Sequence, residues 1–331
     1  MLKPRDVLLK YWGFSSFRSL QEEIIQEILT GKDTLALLPT GGGKSVCFQV
    51  PAMCMDGVCI VVSPLIALMK DQVNNLEQKG ISAVAIFSGM SKRLIDQTLD
   101  NCIYGNVKFL YVSPERLKTP IFIERVKKMK VNLWAIDEAH CISQWGYDFR
   151  PSYLQIAEVR ALHLDVPVLA LTATATPEVV EDIQEKLEFD TNNLKKKSFL
   201  RSNLSYSVLY EDAKYTKLVD ILQKVNGSAI VYVRNRRKTK EIADYLNQCK
   251  ISATHYHAGL GNEERSQRQE NWLKNKLRVI VATNAFGMGI DKPNVRVVVH
   301  VDLPESPEAY FQEAGRAGRD GLKAYGVMLY N

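Results

Sequence analysis

The chain has 331 residues, 46% hydrophobic and 24% charged, which suits two soluble globular domains and excludes a fibrous or disordered chain. No apolar run approaches membrane-spanning length, and Met1-Leu2-Lys3-Pro4-Arg5-Asp6 lacks the apolar core of a signal peptide. The net charge of +6 lies in residues 201–331, where 20 Lys and Arg face 14 Asp and Glu; residues 1–200 carry 23 of each. A basic second half suits a polyanion, although so mild an excess is also common on ordinary surfaces. Six cysteines, at 47, 54, 59, 102, 141 and 249, form no C-x-x-C pair, so reduced thiols are expected rather than a zinc site or a disulfide frame.

In chain order, Gly13-Phe14 and Phe17-Arg18-Ser19-Leu20-Gln21 read alone as the start of an amphipathic helix with core phenylalanines. Asp33 to Leu38 is an apolar strand closed by Pro39. Thr40-Gly41-Gly42-Gly43-Lys44-Ser45 follows, and Lys44 opens a helical stretch. Glycines permit positive φ and close backbone approach, so successive N–H groups can turn onto an anion at a helix N-terminus. Lys44 can pair with the β- and γ-phosphates and Ser45 can ligate Mg²⁺. Leu38 stands where the strict phosphate-loop pattern has its first glycine, and the bland alternative is a glycine turn beside a surface lysine.

Val58 to Ser63, Ala83 to Phe87, Phe109 to Ser113, Leu133 to Asp137 and Val168 to Thr172 read as further strands, with Leu65 to Lys79 a helix. Such alternation implies a parallel sheet covered by helices on both faces. Asp137-Glu138-Ala139-His140 sits at a strand's carboxyl end, where open parallel sheets bind ligands. Asp137 can hold the magnesium, and Glu138 can orient or deprotonate a water. With the phosphate loop, this pair points to hydrolysis of ATP with Mg²⁺. Polar Asp190 to Asn193 and Lys195-Lys196-Lys197 read as a solvated linker, placing domains at 1–205 and 206–331. The second half repeats the alternation, its clearest strands being Ala229 to Val233, Val279 to Thr283, Val295 to His300 and Tyr325 to Leu329.

Taken together, from Phe17 to Gly321, these motifs resemble superfamily 2 helicases and, within them, the RecQ family of DNA helicases. The resemblance implies two tandem RecA-like domains with ATP in the cleft between them. Glu138 matches the catalytic base, Asp137 the magnesium ligand, and the superfamily's looser loop pattern absorbs Leu38. Phe14, Arg18 and Gln21 match the nucleotide-base motif, with Gln21 offering a donor and an acceptor to the adenine edge. Cys141 to Pro151 resembles the family's aromatic-rich loop. Trp145 and Phe149 there can stack on bases and Arg150 can hold a phosphate; the alternative is a buried aromatic cluster.

Ser63 and Lys70, in Ser63 to Gln72, match segments lining the nucleic-acid path, as do Ser113 to Leu117, Arg234-Asn235 and His257. Thr283, Gly289 and Asp291 lie in a glycine-rich stretch that matches a motif facing both DNA and nucleotide. Arg316 and Arg319, three apart and expected on one helix face, match the arginine-finger motif. The resemblance further implies 3′-to-5′ movement on single-stranded DNA, duplex unwinding in repair and recombination, and a cytoplasmic protein, nucleoid-associated if bacterial. Family members usually continue into a zinc module and a winged helix, so strong ATPase activity with weak unwinding is expected here. An RNA helicase, a non-unwinding translocase or a small-molecule phosphotransferase remain open from these residues.

Overall fold

The computed structural model describes residues 3–39, 41–146, 148–198, 200–286 and 292–331. It divides into two compact units, Met1–Phe199 and Leu200–Asn331. The first holds seven strands: β1 Thr34–Leu37, β2 Val58–Val62, β3 Ala83–Ile86, β4 Phe109–Val112, β5 Val131–Ile136, β6 Val168–Thr172 and β7 Leu194–Lys196. Their order is β3-β4-β2-β5-β6-β1-β7, and every pairing is parallel.

Strands β1, β2, β4, β5 and β6 are buried at every position, as expected of parallel strands with helices on both faces. Alternate side chains feed two cores. Leu35, Leu37, Ile60, Val62, Trp134 and Ile136 enter one; Ala36, Leu38, Val61, Phe109, Leu133 and Leu171 enter the other. A sheet packed on both sides is stiff, and it fixes the strand ends from which the functional loops leave.

The lysine run is no linker. Leu194–Lys196 pairs with β1 as the sheet's edge, and Lys195 Nζ meets Glu23 at 2.6 Å and Glu27 at 3.1 Å. A charged edge strand is a common guard against pairing with foreign strands. Its stabilisation comes from backbone pairing and ion pairs, which a hydropathy pattern does not register.

The second unit holds β8 Leu204–Tyr210, β9 Ser228–Tyr232, β10 Ala253–Tyr256, β11 Val279–Ala282, β12 Val295–His300 and β13 Ala324–Tyr330, again all parallel. The order is β10-β11-β9-β12-β13-β8. Matched in sequence order to β1 through β6, this is the same topology as the first sheet, with β7 as the first sheet's addition. Strands β8 and β10, absent from the clearest patterns, are its two edges; β8 begins before the anticipated break at 205/206. Edge strands bury less, and on β8 Tyr206, Val208 and Tyr210 are exposed.

One polar contact pins the centre of the first sheet. Asp33, just before β1, accepts from the Val168 N–H that opens β6 (2.8 Å) and pairs with buried Arg160. Arg160 also donates to the Glu188 carbonyl (3.1 Å). Asp33→Ala strands a buried guanidinium, and we expect a loss of about 3–5 kcal/mol in urea unfolding. Replacing the pair with Leu and Met should cost clearly less than the single change.

Candidate active site and nucleic-acid interface

The phosphate loop leaves β1 at Pro39. Gly41 and Gly43 hold φ of +78° and +76°, left-handed values that favour glycine. Space demands glycine as well: a Cβ on Gly43 would lie 2.5 Å from Gln21 Nε2, and one on Gly42 2.8 Å from the Pro39 carbonyl. The helix Lys44–Cys54 starts directly after Gly43, so its first backbone N–H groups face the loop. Lys44 Nζ lies 3.5 Å from the Leu38 carbonyl and Ser45 is half-buried in the first turn. Thr40 lies outside the described residues.

Gln21 and Arg18 reach this loop rather than open space. Gln21 Oε1 accepts from the Arg18 N–H (2.8 Å), and its Nε2 donates to the Gly43 carbonyl (3.0 Å). Arg18 Nη1 donates to the Gly41 carbonyl (2.8 Å). Gln21 Nε2 thus braces the loop while its Oε1 closes a local turn with Arg18, so in this structure both polar ends of the amide have protein partners, where the family resemblance implies the adenine edge. Phe14 is 52% exposed and free to meet a planar partner.

The acidic pair follows β5, separated from β1 by β6 alone. Asp137 is anchored by its main chain: its N–H donates to the Val62 carbonyl (2.9 Å) and its carbonyl accepts from the Tyr153 hydroxyl (2.9 Å). Burial, then the neighbouring Glu138 charge, pushes the Asp137 carboxyl up to about 7, against the pull of Lys44. Glu138 is buried with φ +50°, a strained value outside glycine, and its Oε2 has no hydrogen-bond donor among the described residues. The half-buried Asp137, its carboxyl raised, and the buried, unsatisfied Glu138 form a donor set that a divalent cation and a water would complete. Mg²⁺ therefore fits these residues.

His140 is a site residue to which the sequence reading gave no role. Its Nδ1 sits 2.9 Å from Thr172 Oγ1 and 3.5 Å from Glu138 Oε2, so it bridges the acidic pair and the end of β6. Burial lowers its pKa, opposed by Glu138. The available signal was its place two residues after the glutamate.

The aromatic-rich loop is fastened to the same strand end. Gly146 approaches so closely that a Cβ there would lie 2.5 Å from the His140 carbonyl. Arg150 N–H donates to the Cys141 carbonyl (2.8 Å). The Arg150 guanidinium binds Asp148 (3.0 Å) and the Pro64 carbonyl (3.0 Å), so it ties the loop to the turn after β2 instead of standing ready for a phosphate. Trp145 is 77% exposed and Phe149 half-buried. Ser63 is buried with its Oγ unpaired among the described residues, and Lys70 Nζ lies 4.9 Å above the Phe87 ring.

In the second unit several expected contacts serve local turns. Asn235 caps the helix Arg236–Gln248 through the Arg237 N–H (2.8 Å), and Thr283 is buried, accepting from the Ala285 N–H (3.4 Å). His257 Nδ1 accepts from the Gly259 N–H (3.2 Å). Arg234 Nη2 donates to the Pro304 carbonyl (3.1 Å). Arg316 and Arg319 are not on one helix face. The helix Pro307–Ala314 ends first, and both follow in turns, Arg316 buried and Arg319 half-buried. Gly289 and Asp291 lie outside the described residues.

Two parallel-sheet units, one with a phosphate loop near an acidic pair at a strand's carboxyl end, define the class of two-domain helicases. The DEAD/DEAH box helicase family matches residues 18–183, and the helicase conserved C-terminal domain matches residues 213–321. The Mycobacterium smegmatis helicase Lhr, in a structure bound to ssDNA and AMP-PNP, superposes with a TM-score of 0.78 at 21% identity, covering 98% of this chain and 47% of that one. At that identity the likeness speaks for the fold alone. The ATP-dependent DNA helicase RecQ of Bacillus subtilis (strain 168) is 44% identical over 99% of this chain and 56% of its own length. The probable ATP-dependent DNA helicase RecS of the same strain is 42% identical over 99% of this chain and 67% of its own. The chain belongs to the RecQ family of helicases, and it spans between half and two thirds of the length of these relatives. Among the described residues, no helix is long and apolar enough to cross a membrane.

The loop geometry yields a direct test. Gly43→Ala adds a Cβ into Gln21 at a left-handed φ, and we expect it to abolish binding of a fluorescent ATP analogue while far-UV circular dichroism stays unchanged.

Proposed function

We propose that this chain is the motor portion of an ATP-dependent DNA helicase, hydrolysing ATP to move along single-stranded DNA. The observation that carries the reading is the phosphate loop after β1 set one strand away from the Asp137-Glu138 pair after β5. In this reading the N–H groups of residues 41–44 and the Lys44 ammonium bind phosphates. Ser45 and Asp137 would hold Mg²⁺, which when bound would supply positive charge to offset that of the phosphates. Glu138, buried and short of a donor, takes a proton from the attacking water or orients it. Arg316 and Arg319, in the second unit, match the arginine-finger motif, and a planar guanidinium suits charge spread over the oxygens of a γ-phosphate.

DNA would run over Trp145 and Phe149, with backbone contacts that are salt-dependent and weakly sequence-specific. The aromatic loop's attachment to the His140 and Cys141 main chain gives bound DNA a short mechanical route to Glu138. Movement from 3′ to 5′, unwinding in repair and recombination, and a cytoplasmic location rest on family resemblance. ATPase assays with single-stranded DNA, with RNA and with neither test the assignment. Strong stimulation by DNA alone is expected; equal rates in all three would refute coupling.

Two variants refine it. Glu138→Gln should retain ATP binding while turnover falls by about 10²–10⁴-fold, the usual share of a positioned general base. Trp145→Ala should weaken single-stranded DNA binding by about 1–3 kcal/mol, the worth of one stacked base, with DNA-free ATPase unchanged. Fluorescence anisotropy with labelled oligonucleotide reads this directly.

A further inference from the structure

His140, Cys141 and Asp148 bring an imidazole nitrogen, a thiol sulfur and a carboxylate oxygen together, all within 4.8 Å of one another. Cys141 Sγ lies 3.8 Å from His140 Nε2 and 3.8 Å from Asp148 Oδ2. In a tetrahedral zinc centre, bonds of about 2.3 Å to sulfur and about 2.0 Å to nitrogen and oxygen put such atoms about 3.5 Å apart. The set about the sulfur therefore needs to contract only slightly to grip one ion. No spacing in the sequence announces it, because Asp148 returns to Cys141 only through the fold of the loop.

The hydrogen bonds around the three groups suit the same chemistry. Thr172 donates its hydroxyl proton to the Thr174 carbonyl (3.1 Å), so its oxygen accepts from His140 Nδ1 at 2.9 Å. That assigns the Nδ1–H tautomer and puts the imidazole lone pair on Nε2, the atom that faces Cys141. Arg150 donates to the same Asp148 Oδ2 from Nε (3.2 Å) and Nη2 (3.0 Å). Metal-bound imidazoles and carboxylates are oriented by outer hydrogen bonds of this kind. Burial holds the Cys141 thiol protonated, so an ion must displace that proton to solvent as its bond to sulfur forms. Magnesium prefers oxygen ligands, whereas zinc is borderline-soft and takes sulfur and nitrogen.

We propose that His140, Cys141 and Asp148 form a site for a thiophilic divalent cation, Zn²⁺ in particular, with water in the fourth position. The site is distinct from that of Mg²⁺ at Ser45 and Asp137. One thiolate and one carboxylate balance the charge of the ion. Cys141 and Asp148 stand at the two ends of the segment that carries Trp145, so the ion cross-links the neck of the aromatic-rich loop. On the reading of this chain as a DNA-driven ATPase, a loop fastened in this way no longer relays DNA binding to Glu138, and Zn²⁺ acts as a brake on coupling.

Co²⁺ reports the site directly, because thiolate ligation gives it a charge-transfer absorption in the near ultraviolet. Titrating the full chain with Co²⁺ should produce that band at one equivalent, and Zn²⁺ should displace it. Cys141→Ser should lose the band. Asp148→Asn should weaken Co²⁺ binding by at least about 10-fold, the low end of what losing even an outer-shell partner costs. Cys249→Ser, which changes a half-buried cysteine elsewhere, should keep both band and affinity. No band in the unaltered chain, a band that survives Cys141→Ser, or unweakened binding in Asp148→Asn would each overturn the proposal. In ATPase assays with Mg²⁺ and single-stranded DNA, one equivalent of Zn²⁺ should remove the stimulation in the unaltered chain and leave it in Cys141→Ser; equal inhibition of both sinks the brake. The absorption test needs neither ATP nor DNA, so a chain that DNA fails to stimulate sinks the helicase reading without touching the metal site.

Discussion

The first unit's candidate site depends on holding two carboxylates side by side, Asp137 half-buried and Glu138 buried. Desolvation raises the Asp137 carboxyl first and the adjacent Glu138 charge raises it further, against the pull of Lys44. Glu138 adds a left-handed backbone. Left to itself such a turn would relax into solvent. It is prevented by β5, buried along its whole length, and by the Val62 and Tyr153 contacts to the Asp137 main chain. Two apolar cores thus hold the turn in place.

The same economy explains the side chains around it. Gln21, Arg18 and Arg150 look in sequence like groups waiting for base or phosphate. In the fold each spends donors on main-chain carbonyls: Gly43, Gly41 and Pro64 respectively. Glycine-rich and aromatic loops have few internal bonds of their own, and a long polar side chain is the available strut. Arg150 therefore links the aromatic loop to the turn after β2, while Gly146 lets that loop rest on the His140 carbonyl.

The parallel α/β architecture was legible because strands buried on both faces are near-continuous runs of Val, Ile and Leu, and β1, β2, β5, β6, β9, β11 and β12 are such runs. The edges were not. Strand β7 is held by Lys195 ion pairs and backbone bonds to β1, and β8 leaves its tyrosines in water, so neither carries an apolar signature. Glycine spacing and acidic placement located the phosphate loop and the carboxylate pair as residues. Which donors are already spent, and that Arg316 lies beyond its helix in a buried turn, depends on tertiary hydrogen bonding that spacing does not encode.

The shared topology of the two sheets makes their chemical difference informative. In the first, β1 leads through three glycines into Lys44. In the second, the matching β8 leads through Glu211, Asp212 and Ala213 into a helix that also opens on lysine, Lys214. That linker has no glycine to expose its N–H groups, and its acids repel phosphate. Asp302 stands two residues past β12, as Glu138 stands two past β5, yet it is neutralised by Lys238 at 3.1 Å and accepts from the Arg234 N–H at 3.0 Å. Lys214 in turn is spent on the Val301 carbonyl (3.2 Å). The cavity they leave, about 400 Å³, thus lacks both the open amides and the unpaired carboxylate of its counterpart. The second unit keeps the frame without the phosphate loop, and after its last helix it buries a cation, Arg316, where the first unit buries an anion, Glu138, after β5.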